Sequence, residues 1–214
     1  MTNVNDLERM RDSKDSSLSF SAKVQFDARI ATTNMFADFA ITSDGSCWYF
    51  GSWKTPLNSL RIYFPPGAVI VWGDLGDAVF RHSGDDSLEW LLRAASDRHF
   101  PDYCLGKLAA IGDDKQEFFT GDALSWLLSL MDAEDASSDD VIGTWEQMFE
   151  NLENGCLPAQ AWYLACREHG IDDPPRCEGW SWRALVIWNA LATFVRLYNE
   201  RSKRIDDCKE QKDR

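Results

Sequence analysis

From Gln116 to Cys166 the chain runs 51 residues without a lysine or an arginine, while ten carboxylates fall in the same stretch. Elsewhere opposite charges nearly balance, so most of the net charge of −13 over 214 residues comes from this one segment. Phosphate recognition relies on Lys and Arg. Their absence here, with an isoelectric point near 4.6 and no basic, aromatic-interleaved patch elsewhere, excludes direct nucleic-acid binding. Long hydrophobic runs are also missing. The best candidate, Ala184 to Val195, is interrupted by Asn189 and falls short of the roughly 18 apolar residues that cross a bilayer. Three histidines leave few general bases. P-loop, Rossmann, HExxH, EF-hand and GxSxG patterns are absent.

What is present argues for a packed protein. Apolar residues make up 44% of the chain and aromatics 13%, with ten tryptophans, which excludes a disordered polymer. Most of the tryptophans sit in strand or helix patterns that predict burial; a Trp-lined carbohydrate cleft is the functional alternative. Six cysteines behind a start that is not a signal peptide predict reduced thiols in a cytoplasm. The polar stretch 1–17 predicts a frayed tail.

Periodicity divides the remainder. Leu18 to Ile30 alternates apolar and polar residues, the pattern of a half-buried antiparallel strand. Phe36–Ile41, Cys47–Trp53, Leu60–Phe64, Ala68–Trp72 and Ala78–Arg81 continue as strands. They are punctuated by Ser43-Asp44-Gly45, Thr55-Pro56-Leu57-Asn58 and Gly73-Asp74-Leu75-Gly76-Asp77, which are turn chemistries. Near Ser83 the period becomes helical: Asp86–Ala95 with a capping box to Glu89, Tyr103–Ile111, Asp122–Met131, Val141–Leu152, Ala159–His169 ending at Gly170, and Trp182–Arg204. The broadly apolar last helix is expected at the centre of the helical part or against the sheet. The expected architecture is α+β: an N-terminal antiparallel meander, 18–83, a helical region, 84–205, and a frayed tail, 206–214. The two parts could share one core.

In the fourth of these helices Val141, Trp145, Met148, Phe149 and Leu152 are expected inward, leaving Glu146, Glu150 and Glu153 in a row outside. No basic residue on the helix compensates their repulsion. Together with Asp132, Glu134, Asp135, Asp139 and Asp140 of the preceding linker, they read either as a solvated face or as carboxylates standing in for phosphates before a basic partner. Cys156, Cys166, His169 and Cys177 offer donors that zinc accepts, but paired C-x2-C knuckles are absent and Cys166 is expected inward. No metal or other cofactor is therefore expected. Cys104 with His82 or His99 is the available Cys–His combination. Asp74 and Asp77 could form a carboxylate pair for a hydrolase, though Asp also suits a hairpin turn.

The stretch Gly73 to Leu91, GDLGDAVFRHSGDDSLEWL, continued by Tyr103 and Lys107, resembles a segment of small uncharacterised phage, prophage and plasmid proteins. It covers about 35 residues and carries no catalytic role. The resemblance implies a mobile-element origin, a setting in which anti-CRISPR and anti-restriction proteins occur, some of them acidic DNA mimics. The expectation is a non-enzymatic cytoplasmic inhibitor of a host defence or nucleic-acid-binding protein with a basic surface; the alternative is a cytoplasmic hydrolase acting through Asp74 and Asp77.

Overall fold

The computed structural model describes residues 20–52, 59–96, 101–111 and 116–212. The protein is α+β, with an antiparallel six-stranded sheet followed by helices. The expected turn at Thr55–Asn58, the residue His99 and the tail 1–17 lie outside the described residues. Two compact units are formed, one by residues 25–115 with 180–214 and the other by 116–179 together with 1–24.

The sheet unit is built from β1 (Phe39–Ser43), β2 (Trp48–Ser52), β3 (Leu60–Tyr63), β4 (Ala68–Gly73), β5 (Ala78–Arg81) and β6 (Leu108–Ile111), paired in that order and all antiparallel. Register places Ile41 opposite Phe50, Phe50 opposite Leu60, Ile62 opposite Val71 and Val69 opposite Phe80. All of these are buried, because strand side chains alternate faces and one face of this sheet packs on the core. Each such side chain stabilises the fold by about 1.5–3 kcal/mol through burial. The Asp44 carboxylate ties the first hairpin by accepting from the Ser46 and Cys47 N–H groups at 2.8 and 2.9 Å. These bonds favour the charged form and hold its pKa well below the usual carboxylate range.

Helices complete this unit. α1 (Phe20–Met35) occupies most of the segment expected to be a strand, and its reason lies in the next turn of sequence. Ala28, Thr32 and Phe36, spaced by four, are buried while Ile30 is 48% exposed, so the period that decides is 3.6 and not two. Thr32 and Thr33 return their hydroxyls to the carbonyls of Ala28 and Arg29 at 2.7 Å, which accommodates two β-branched residues at the end of a helix. α2 (Ser87–Ser96) starts where expected, with the Asp86 carboxylate accepting the Glu89 N–H at 2.8 Å. Tyr103–Ile111, expected as one helix, divides into α3 (Pro101–Gly106) and strand β6. Cys104, Leu105 and Leu108 are buried, and from Leu108 on the backbone pairs with the edge that β5 offers. α7 (Trp182–Lys212) runs past the expected stop at Arg204 and through most of the expected frayed tail. It packs on β1, α2 and α3, with Phe194 and Tyr198 set edge-on to Trp48 at 5.6 and 5.4 Å between ring centroids.

The helical unit contains α4 (Thr120–Asp132), α5 (Ser138–Glu153) and α6 (Pro158–Glu168). Strands β7 (Gln116–Phe118) and β8 (Glu178–Trp180) form a separate pair. Trp162 is fully buried among Leu127, Leu128, Val141, Met148 and Ala165. Its indole N–H donates to the Pro175 carbonyl at 3.1 Å, meeting the requirement of a buried indole. All three helices end alike. After α5 and α6 the first non-helical residue beyond the cap is Gly155 or Gly170, at φ +87° and +67°. Paired bonds, Cys156 N–H to Asn151 O and Ile171 N–H to Cys166 O, close each end in a Schellman motif. After α4 the equivalent residue is Glu134, at φ +61°, with Asp135 N–H to Leu130 O at 2.9 Å. A side chain is thus held in a backbone region that favours glycine.

Candidate functional site

The acidic segment folds so that its charge collects on the outer side of α5. Helical geometry turns about 100° per residue, which sets Val141, Thr144, Trp145 and Met148 in one arc, all buried. Continuing round the helix, the next residues are Phe149, Ile142, Glu153, Glu146, Asp139 and Glu150. The four carboxylates of this arc are exposed. Glu146, Glu150 and Glu153 rise along the axis in steps of about 6 and 4.5 Å. Phe149, expected in the core, is 41% exposed. It stands edge-on to Trp145 at 5.2 Å, at the border between core and carboxylates. The site is therefore an acidic arc with an apolar rim, a component that charge counting alone does not find. An i+4 step from Trp145 to Phe149 could have suggested the core, but the angular drift of about 40° carries the ring to the edge.

The linker acids have different tasks. Asp132 is the last residue of α4 and Glu134 and Asp135 follow it, all three exposed. Asp139 and Asp140 are in the first turn of α5, where negative charge suits the helix N-terminus. Asp140 is engaged structurally. Its carboxylate accepts from the Ser137 N–H at 3.3 Å and from the Ser137 hydroxyl at 2.6 Å, and its own N–H donates to Ser137 Oγ at 3.1 Å, closing a capping box. The Ser137 hydroxyl, then its N–H, and to a lesser extent His169, lower the Asp140 pKa. His169 reaches this point because Gly143 has no side chain, and a Cβ there would run into the imidazole. Seven of the eight acids read from sequence are exposed, and Asp140 closes the cap.

The remaining candidate chemistry takes other forms. Cys166 and Cys177 are buried, and desolvation pushes both thiols up to about 12, where they stay protonated. Among the described residues no three His, Cys, Asp or Glu side chains converge on a point that could hold a metal. Cys104 is likewise buried and raised to about 11. Asp74 accepts from the Ser59 N–H and hydroxyl at 3.2 and 3.0 Å, and Asp77 from the Gly73 N–H at 3.3 Å. Both carboxylates hold backbone together around the β4–β5 turn.

His82 and Ser87, 2.7 Å apart between Nε2 and Oγ, have the spacing of a base and a nucleophile, but their protons run the wrong way. His82 Nδ1 accepts the Gly84 N–H at 3.1 Å, so Nε2 carries the hydrogen and donates to Ser87. Ser87 in turn donates to the Pro65 carbonyl and accepts the Ala68 N–H. Its Oγ is buried and saturated, and desolvation of the imidazole lowers the His82 pKa, with Asp86 opposing.

No helix among the described residues is long and apolar enough to cross a membrane. Comparison of the chain with models of protein families, with curated proteins and with solved structures found no match.

Proposed function

We propose that this protein is a non-catalytic, cytoplasmic inhibitor of phage or mobile-element origin. Its acidic arc on α5 docks against the basic nucleic-acid-binding surface of a host defence complex such as a CRISPR effector. The observation that carries this reading is the exposed ladder Asp139, Glu146, Glu150 and Glu153, bordered by Phe149, on a unit whose residues 116–166 contain no cation. Carboxylates so placed cannot neutralise one another and offer a basic surface a substitute for phosphate. An exposed aromatic at the border supplies the apolar anchor that charge alone lacks, since most binding energy in protein interfaces comes from a few such residues. Electrostatic recognition also accelerates encounter.

The test is competition. The protein should displace duplex DNA from a purified CRISPR effector complex. The variant Glu146→Gln/Glu150→Gln/Glu153→Gln should lose at least tenfold in inhibitory potency, and Phe149→Ala should lose potency without altering its dependence on salt. Inhibition of equal strength by the triple variant would remove the acidic arc from the mechanism.

A further inference from the structure

A second feature, in the sheet unit, has the opposite charge. Arg81, His82, Ser83, Trp90, Tyr103 and Lys107 line a cavity of about 280 Å³. Its cations are brought together by the sheet. The Arg81 N–H donates to the Lys107 carbonyl at 2.9 Å, where β6 joins the edge of β5. Both side chains are exposed, and neither forms an ion pair with any described residue. In a chain of net charge −13, two cations side by side with no carboxylate partner among the described residues leave an anion-attracting point.

Beside these cations and Ser83, the described lining is aromatic. His82 lies flat on Trp90, with 4.8 Å between centroids and planes 4° apart. Ser87, 2% exposed, anchors that stack through the bonds to His82, Pro65 and Ala68. With both ring nitrogens occupied, His82 acts as a wall and not as a ligand donor. Tyr103 is 48% exposed, with Lys107 Nζ 5.2 Å from its ring centroid, the geometry of a cation–π contact. Asp86 acts electrostatically on His82, and its carboxylate is turned to the Glu89 N–H as the cap of α2.

We infer that this cavity is a binding site for a nucleoside monophosphate: the phosphate between Arg81 and Lys107, the base against the aromatic wall of Trp90 and Tyr103. Arg and Lys supply charge-assisted donors to phosphate oxygens, and an aromatic side chain stacks on any base. At about 280 Å³ the cavity falls just below the usual range of small-molecule sites, so the ligand proposed is a single nucleotide. The site is independent of the acidic arc and lies in the other unit.

Calorimetric titration of the full chain tests it with adenosine and uridine monophosphates, and with adenosine, uridine and inorganic phosphate alone. At least one nucleotide should bind saturably, and at least tenfold more tightly than its nucleoside or phosphate. Arg81→Gln/Lys107→Gln should weaken binding at least tenfold, Tyr103→Ala about fivefold, and Lys107→Arg, which keeps the charge, less than threefold. Amide shifts on titration should be confined to residues lining the cavity and their neighbours, a readout that needs no variant. The inference is overturned if neither nucleotide saturates, if a nucleoside or phosphate alone binds as well, if the shifts map elsewhere, or if a folded double glutamine variant binds unchanged.

Discussion

The two units solve the same problem of burial with opposite treatments of charge. Residues 116–179 with 1–24 carry 18 carboxylates and six cations; residues 25–115 with 180–214 carry 17 carboxylates and 16 cations. In the sheet unit, acids are spent one at a time on local tasks: Asp44 and Asp74 hold turns, Asp86 caps a helix and Glu89 pairs with Arg93 at 3.3 Å. In the helical unit Asp140 has a comparable task, and α5 carries three glutamates in a row whose like charges repel. The packing of Trp162 and its neighbours holds that unit together, so the charge on α5 is not needed for the fold. Charge retained at a cost in stability, on one face, is what distinguishes the helical unit and makes that face the candidate for function.

Emptying one core should loosen only the unit that holds it. Trp162→Ala removes a fully buried indole and should cost about 3–5 kcal/mol. Peptide-resolved hydrogen exchange should show lost protection across α4, α5 and α6, with β2 to β5 retaining theirs. Phe50→Ala should give the reverse map. Equal loss in both regions from either substitution would mean that the two units unfold as a single cooperative block.

A smaller effect sharpens the helical side. Glu134 occupies the left-handed position that Gly155 and Gly170 fill at the ends of the other two helices. Glu134→Gly should raise stability by up to about 1 kcal/mol in denaturant unfolding, the relief of backbone strain outweighing the greater freedom of the unfolded chain. A loss of stability would show that the Glu134 side chain contributes more than its backbone costs.

The smallest effect belongs to the sheet side and to pH. The folded pKa of His82 is below the ordinary 6.5. Its contribution is therefore complete above pH 6.5 and lost as pH falls through the folded value. Protection of β5 and α2 should decline on acidification below 6.5 in the native chain, and less so in His82→Gln. An identical decline in the variant would assign the pH response to another group.

Much of this architecture was legible before the structure. The turns at Asp44–Gly45 and Gly73–Asp77, the Asp86 cap and the Gly170 stop each have local chemistry that fixes a boundary. What misled was local pattern without tertiary context. Leu18–Ile30 alternates well, but Phe20, Ala22 and Val24 satisfy a period of two only because small and large apolar residues count alike. The burial of Ala28, Thr32 and Phe36 reveals the helical period. Leu108–Ile111 is too short to declare itself and becomes a strand because β5 has a free edge. The acidic row on α5 was readable from its spacing, whereas the exposure of Phe149 depends on how far α6 covers α5. The grouping of Arg81 with Lys107 depends on a strand pairing that no local signal announces.

An interface on the acidic arc and a solvated face differ in their response to salt. The most direct measurement is the affinity and association rate for a purified CRISPR effector complex between about 50 and 200 mM salt, for the native chain and for Glu146→Gln/Glu150→Gln/Glu153→Gln. For an interface, native affinity should fall steeply with salt. The triple variant, folded and if anything slightly more stable, should bind at least tenfold more weakly and associate more slowly, with a flatter salt dependence. Unchanged affinity and an unchanged salt slope in the variant would contradict an interface and leave these glutamates as a solvated face.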